Sequence, residues 1–391
     1  MYPGMRSIPC TILRAGTSKG IYLRRNDLPA DETVRDRVIL SIFGSPDKRQ
    51  IDGLGGADPL TSKLAIVGPS DRPDADVEYT FGQVSIDRPQ IFYKSICGNI
   101  TSGVGPFAVN NNLVKVAEGI TTVRIYNTNT EKIITAYVPT TCGRACVDGD
   151  LEIAGVPGTG AKISLDFSKT TGALSGHGVL PTGNAIDRID VAGVGPIDVS
   201  IVDVAACQVF IRARDVGLDG SESPTEIDSR ADLLEKLEAI RAHAAYLAGL
   251  AETPVSATTD RRNTPHLAMI GEGGDYIDHL TAGTVRQEDY DVRADMLFMQ
   301  IMHKTYAGTG SICLGVAARI PGTIPNLGLT EPCRDGIVRI GHPAGVIPIE
   351  AEVECGTDGI VVRRAAIQRT ARTIMEGFVY VRENIFESSG E

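Results

Sequence analysis

A chain of 391 residues is too long for one ordinary core and predicts two domains of roughly 150–200 residues each, with 42% hydrophobic and 22% charged residues marking a globular protein. A formal net charge of −11 argues against nucleic acid as a partner, and the absence of Trp with only 5% aromatics argues against stacking platforms for bases or sugars. The N-terminus has no apolar leader core and no run reaches the ~18 uncharged apolar residues of a membrane span, so the sequence reads as cytoplasmic with no membrane partner.

In chain order, Ile8–Leu13 and Ile21–Leu23 read as strands around the turn Arg14-Ala15-Gly16-Thr17-Ser18-Lys19-Gly20. The turn has half of a phosphate loop. It lacks the earlier Gly and the following helix, which excludes a nucleotide site but leaves N–H and hydroxyl donors for a carboxylate. Thr33–Phe43 is predicted helical, with Asp31 as N-cap and Val34, Val38, Ile39 and Ile42 as its apolar stripe. The Gly- and Pro-rich stretch from Ile51 is an irregular loop that ends in an apolar strand, and Lys63 stands where the loop ends. Such a lysine is ordinarily solvated; held partly buried with a lowered pKa, it can serve as a general base.

Strands are predicted at Val77–Ile86 and Gln90–Tyr93, followed by the polar turn Cys97-Gly98-Asn99, which feeds a helix to about Val114. Thr121–Tyr126 and Ile133–Val138 form a hairpin around Asn127–Thr130, and Pro181-Thr182-Gly183-Asn184 reads as a crossover between domains. The second half predicts strands at Ile197–Val204 and Cys207–Ile211, a helix from Ala231 to about Leu250 capped by Ser229, and a helix over Asp289–Lys304. Strands at Val338–Ile340, Ala351–Cys355, Ile360–Arg364 and Phe378–Arg382 close the sheet, giving an α/β or α+β architecture repeated once.

The repeat is visible at the residue level. Cys97-Gly98-Asn99-Ile100-Thr101-Ser102-Gly103-Val104 and Thr309-Gly310-Ser311-Ile312-Cys313-Leu314-Gly315-Val316 share their glycines, isoleucine and valine in register. A helix start offers unpaired N–H groups and a partial positive charge, so two such turns facing each other would hold a small dianion. The alternative is two glycine-containing helix starts buried for packing alone. Eight cysteines (10, 97, 142, 146, 207, 313, 333 and 355) are scattered without a disulfide-dense pattern. Cys142 and Cys146 are spaced like half of a zinc site, but no second half follows and the six histidines have no ligand spacing, so no metal is expected.

Arg14–Gly20, Gln50–Gly56, Thr61-Ser62-Lys63, Phe81–Ile86, Cys97-Gly98-Asn99 and Gly341-His342-Pro343-Ala344-Gly345 together resemble the 2-methylaconitate isomerase and methylitaconate Δ-isomerase family, in order from Ile8 to Val381. Phe298-Met299-Gln300, His303–Thr309 and Arg369–Gly377 resemble the methylitaconate branch more closely. The resemblance implies an α+β chain of two similar diaminopimelate epimerase-like domains, each a mixed sheet around a central helix. The expected division is 1–182 and 183–391, with 376–391 returning to the first domain. It also implies a proton shift that needs no cofactor and moves a double bond in an unsaturated di- or tricarboxylate, with Lys63 and Cys97 as the base and acid positions. Epimerases of this fold use a thiol at both turns. Here Thr309 stands at the second and Cys313 lies one helical turn later, which disfavours a two-thiol racemase.

The reaction builds charge on carboxylate oxygens, so the amides of Gly98, Asn99, Gly310 and Ser311 are the expected donors. Arg14, Ser18, Thr309 and His342 are further candidate substrate holders, with a salt bridge or a capped turn as the structural alternative for Arg14 and His342. His303 is expected on a helix surface. Competing activities are cis/trans isomerisation of 2-methylaconitate or aconitate and tautomerisation of oxalomesaconate; outside enzymes, a non-catalytic carboxylate-binding protein is the alternative, although binding alone requires neither Lys63 nor Cys97. A homo-oligomer is a reasonable expectation for such a chain.

Overall fold

The computed structural model describes residues 2–93, 96–153, 155–262, 264–331, 335–356 and 359–387; Cys333 lies outside them. The chain divides into two compact units, Met1–Leu165 with Gln368–Glu391, and Asp166–Ile367.

In the first unit, strands β1 (Met5–Ala15) and β2 (Ser18–Arg24) are joined by the two-residue turn Gly16-Thr17, tighter than the seven-residue turn read from sequence. Helix α1 (Glu32–Phe43) starts at Asp31, whose Oδ1 accepts from the Val34 N–H at 2.9 Å, and ends on Gly44 at φ +74°. Strands β3 (Lys63–Pro69), β4 (Val77–Val84) and β5 (Ile91–Phe92) follow, then helix α2 (Gly98–Asn110) and the hairpin β6 (Gly119–Asn127) and β7 (Lys132–Thr141). The sheet is mixed. Ala371–Arg382 pairs antiparallel with β1, β1 antiparallel with β2, β2 parallel with β3, β3 antiparallel with β4, β4 parallel with β6, and β6 antiparallel with β7.

Helix α2 is the axis of this unit. Every residue from Ile100 to Val109 is buried, and the helix packs on β1, β2, β3, β6 and β7. A helix buried all round needs a surface that lets strands approach from every side, which the small residues Ser102, Gly103, Gly105 and Ala108 supply. Gly103 is pressed so close to Tyr22 that a Cβ would overlap the phenol oxygen, and that hydroxyl donates to the Ile100 carbonyl at 2.6 Å. Helix α1 covers the opposite face of the sheet with Val34, Val38, Ile39, Ile42 and Phe43 against Ile21, Leu23, Leu64 and Ile66. Each such side chain contributes about 1.5–3 kcal/mol by leaving water.

The second unit repeats the pattern strand for strand. Gly195–Val204 pairs antiparallel with Ala206–Arg212, which runs parallel to His266–Ile270, antiparallel to Val292–Phe298, parallel to Ile337–His342, then antiparallel to Gly345–Gly356. The helix Gly308–Arg319 is the buried axis, and the helix Ala231–Leu247 covers the outer face through Leu233, Leu237 and Ile240. Each unit is therefore a mixed sheet around a central helix, the α+β architecture that the resemblance implies.

Two local expectations are corrected. Ser229 does not cap the long helix: it terminates the short helix Pro224–Asp228, and Arg230 precedes Ala231 without a side-chain cap. Asp289–Lys304 is not helical but a hairpin, Val292–Phe298 and Ile301–Met302, turned by Met299 and Gln300 at φ +55° and +67°. The strand is buried continuously from Val292 to Leu297, so it shows no in-out alternation, and its Arg293 and Asp295 are hidden by pairing with each other at 2.9 Å.

Candidate functional site

In the first unit the candidate residues come from the β1–β2 turn, the start of β3 and the start of α2. Lys63 is the first residue of β3 and is only 9% exposed. The loop before it is pinned by buried Gln50, whose Oε1 accepts from the Ala57 N–H at 2.8 Å and from Ser62 Oγ at 2.7 Å. Lys63 Nζ donates to Gln83 Oε1 at 2.7 Å and lies 5.5 Å from the centre of the Phe81 ring. Gln83 is the register partner of Lys63 on β4.

Cys97 is the N-cap of α2, partly exposed, with extended backbone at φ −123° and no side-chain capping bond. Its carbonyl accepts from the Thr101 N–H and the Thr101 hydroxyl, both at 2.9 Å, and Ser102 Oγ donates to the Asn99 carbonyl at 2.7 Å. These bonds occupy carbonyls of the first turn and leave its amides, those of Gly98 and Asn99 among them, without intrahelical acceptors.

Asn99 is fixed from three sides. Its Nδ2 donates to Thr17 Oγ1 at 2.9 Å, its Oδ1 accepts from Arg369 Nε at 3.2 Å, and Gly16 lies directly against it. Gly20, the register partner of Lys63, stands between the two catalytic candidates' elements: a Cβ there would lie 2.7 Å from the Ile100 side chain and 3.3 Å from the Lys63 carbonyl. Ser18 is buried, and its Oγ has no hydrogen-bond partner among the described residues. Arg14 gives one guanidinium nitrogen to Thr370, at 2.7 Å to the hydroxyl, and sits opposite Arg372.

The electrostatics of this corner are positive. Burial pulls the Arg369 guanidinium down to about 10, with the Cys97 charge acting in the opposite sense, so Arg369 remains a cation at neutral pH beside the helix start. Burial and then Arg372 lower Arg14 as well. Gln83, Thr17 and Arg369 are the residues to which sequence reasoning gave no role. The pairing of β3 with β4 would have found Gln83, and the repeated arginines of Arg369-Thr370-Ala371-Arg372 were the signal for Arg369.

In the second unit, the helix that carries Thr309, Gly310 and Ser311 starts at Gly308 with Ala307 as N-cap, so Thr309 is the second helical residue whereas Cys97 is itself a cap. Ser311 turns both donors inward, Oγ to the Gly308 carbonyl at 2.9 Å and its N–H to the Ala307 carbonyl at 2.8 Å, so its amide is not the free donor that the sequence predicts. Gly310 is overlaid by buried Gln208, whose amide nitrogen would stand 2.8 Å from a Cβ there. Cys313 is fully buried with its thiol on the Val202 carbonyl at 3.3 Å, and burial pushes that thiol far up. His342 is buried at the end of its strand, where Nδ1 accepts from the Ala344 N–H at 3.1 Å. His303 is not on a helix surface: it lies after the hairpin, half-buried, with Nδ1 accepting from the Thr305 N–H at 3.2 Å. Among the described residues no three His, Cys, Asp or Glu side chains gather as a metal set.

Comparisons with known proteins bear on the whole chain. The model of the family described as PrpF protein matches residues 5–382. The 3-methylitaconate isomerase of Eubacterium barkeri is 54% identical over 96% of this chain and 97% of its own length. The 2-methyl-aconitate isomerase of Shewanella oneidensis is 37% identical over 97% and 98%. A crystal structure of methylitaconate-delta-isomerase superposes with a TM-score of 0.92 at 52% identity, covering 99% of each chain.

Proposed function

This chain belongs to the PrpF protein family, and from that membership we propose that it is an isomerase that moves a carbon–carbon double bond by allylic proton transfer in a small unsaturated carboxylate, converting methylitaconate to dimethylmaleate. The observation that carries the reading is Lys63, buried at a strand start and hydrogen-bonded to a neutral amide, in the unit that also presents Cys97 at a helix cap.

The chemistry follows from the substrate. The proton to be moved sits on a carbon flanked by a carboxylate and a C=C bond, so its removal spreads negative charge over a dienolate. Lys63 in its neutral form takes that proton, and the electron pair shifts the double bond inward as a proton is added at the former methylene carbon. Cys97 is the second proton carrier, so that the coupled pair ends each cycle with no net gain of protons. The amides of Gly98 and Asn99, the unpartnered Ser18 hydroxyl and the Arg369 cation support carboxylate binding and charge stabilisation in the first unit. Thr309, Gly310, Arg14 and His342 are the remaining proposed holders.

Three arginines, Arg14, Arg369 and Arg372, belong to the strands around the Gly16 turn. That count of cations suits a third carboxylate and supports 2-methylaconitate or oxalomesaconate as the second reading. Proton NMR in D₂O with each acid, beside Lys63→Ala and Cys97→Ala, tests both. Formation of dimethylmaleate with one deuterium in the new methyl group, lost in either variant, supports the first reading. Turnover of only a tricarboxylate selects the second, and binding without exchange in any acid rejects both.

A further inference from the structure

Lys63 is held by a group whose orientation the surrounding backbone dictates. Gln83 Nε2 donates to the Pro59 carbonyl at 3.1 Å and to the Ser62 carbonyl at 3.0 Å, using both of its hydrogens. Its Oε1 is thereby the only atom left to face Lys63, whose Nζ it meets at 2.7 Å. A flipped amide would set its oxygen against two carbonyl oxygens and its NH₂ against the lysine, losing all three bonds. The two carbonyls belong to the loop that delivers Lys63, so one side chain joins the loop, β4 and the lysine tip.

The chemical type of the partner matters as much as its direction. A carboxylate at position 83 would favour the ammonium and hold the lysine in the form unable to accept a proton. A primary amide accepts a hydrogen bond from either charge state. Among the described residues the Lys63 tip also meets the Phe81 ring face, and Gly20, its neighbour on β2, has no side chain to offer. Lys19 on β2 extends to the loop at Gly56.

We propose that Gln83 is the positioning residue of the proton-transfer site: its amide, locked by the Pro59 and Ser62 carbonyls, aims Lys63 Nζ while leaving the lysine free to alternate between its two charge states. The inference rests on the reading of Lys63 as a proton carrier and deepens it. Gln83 acts through Lys63 and does not itself exchange protons with substrate.

The test compares Gln83→Leu and Gln83→Glu with the wild-type enzyme by steady-state kinetics across pH, using whichever acid the wild type turns over, with thermal unfolding as a check on folding. Gln83→Leu is expected to lower kcat by about tenfold or more, within the range by which positioned acid–base groups act, with KM within about threefold, because the lysine remains at the site but loses its aim. Gln83→Glu is expected to move the acidic limb of the pH–kcat profile upward by about one unit or more, as an added anion does to a neighbouring ammonium. Its activity then recovers as pH rises, which damage to the fold cannot mimic. If Gln83→Leu does not fold, the displacement in Gln83→Glu decides alone. Wild-type kcat in Gln83→Leu, or a Gln83→Glu profile that superposes on the wild type, overturns the proposal. Lys63→Met separates the two levels: activity that survives it removes the proton-carrier reading itself, whereas an inactive Lys63→Met beside unaffected Gln83 variants removes only the positioning role.

Discussion

Gly16 lies against the Asn99 side chain with no room for a Cβ between them, at a φ of +53°. Asn99 cannot retreat, because Thr17 and Arg369 hold its two ends. Gly16→Ala is therefore expected to cost about 1–2 kcal/mol in left-handed backbone strain and, in addition, to displace the Asn99 carboxamide, lowering kcat/KM by about tenfold or more. Gly158→Ala is the matched control, since it shares a positive φ of +75° but has nothing within 4 Å. Unfolding should show a backbone cost in both variants and kinetics a defect only at Gly16.

Ser18 offers a prediction of opposite sign for stability and function. Its hydroxyl is buried and unpartnered among the described residues, a condition that costs about 1–3 kcal/mol in a folded chain. Ser18→Ala is expected to leave the melting temperature unchanged or raised while increasing KM severalfold. A thermal melt beside a Michaelis curve checks this, and a lowered melting temperature with unchanged KM would assign the hydroxyl a structural role instead.

Arg369 combines a cation with an aimed Nε–H on Asn99. Hydrogen bonds to charged groups contribute about 1.5–3 kcal/mol, so Arg369→Ala should raise KM by about 10–100-fold. Arg369→Lys is expected to recover only part of that loss, since a lysine keeps the charge but not the planar geometry. Calorimetric titration with the substrate or a saturated analogue measures both.

His266 should impose an acid limit on stability. Burial first, then the fields of His303 and Arg241, lower its pKa from 6.5 to about 4. The unfolded chain takes up the proton near pH 6.5 and the folded chain only near 4, so acid favours unfolding within that window and stability falls as pH drops. The full contribution is on the order of 3 kcal/mol, present above pH 6.5 and lost by about 4. Urea unfolding between pH 4.5 and 7.5 should show a slope that decreases in His266→Phe by up to one proton.

Helix-forming and strand-forming physics made much of the fold legible. Asp31 and the stripe Val34, Val38, Ile39 and Ile42 declare α1, and the alternation on both sides of Asn127–Thr130 declares the β6–β7 hairpin. What stayed hidden depends on partners distant in sequence. Arg293 and Asp295 look like exposed helix charges until the sheet buries them together, and Met299-Gln300 carries none of the glycine that announces a tight turn. Lys63 and Cys97 stood out by residue type and setting. Gln83 and Arg369 did not, because an amide or a guanidinium meets its partner only once the chain is folded, Gln83 across the β3–β4 pair and Arg369 at the start of α2.

The two units carry the same strand order and different chemistry at matched places. His266 opens the strand that corresponds to β3, pairs with Gln208 where Lys63 pairs with Gly20, and rests on the edge of Phe298 at 5.3 Å. One copy of the pattern thus keeps a polar couple at this corner while its twin has filled the same corner with rings. The molecule supplies its own reference experiment: paired substitutions at corresponding positions measure what the scaffold alone demands in one copy, and any excess in the other is the part that the scaffold does not explain.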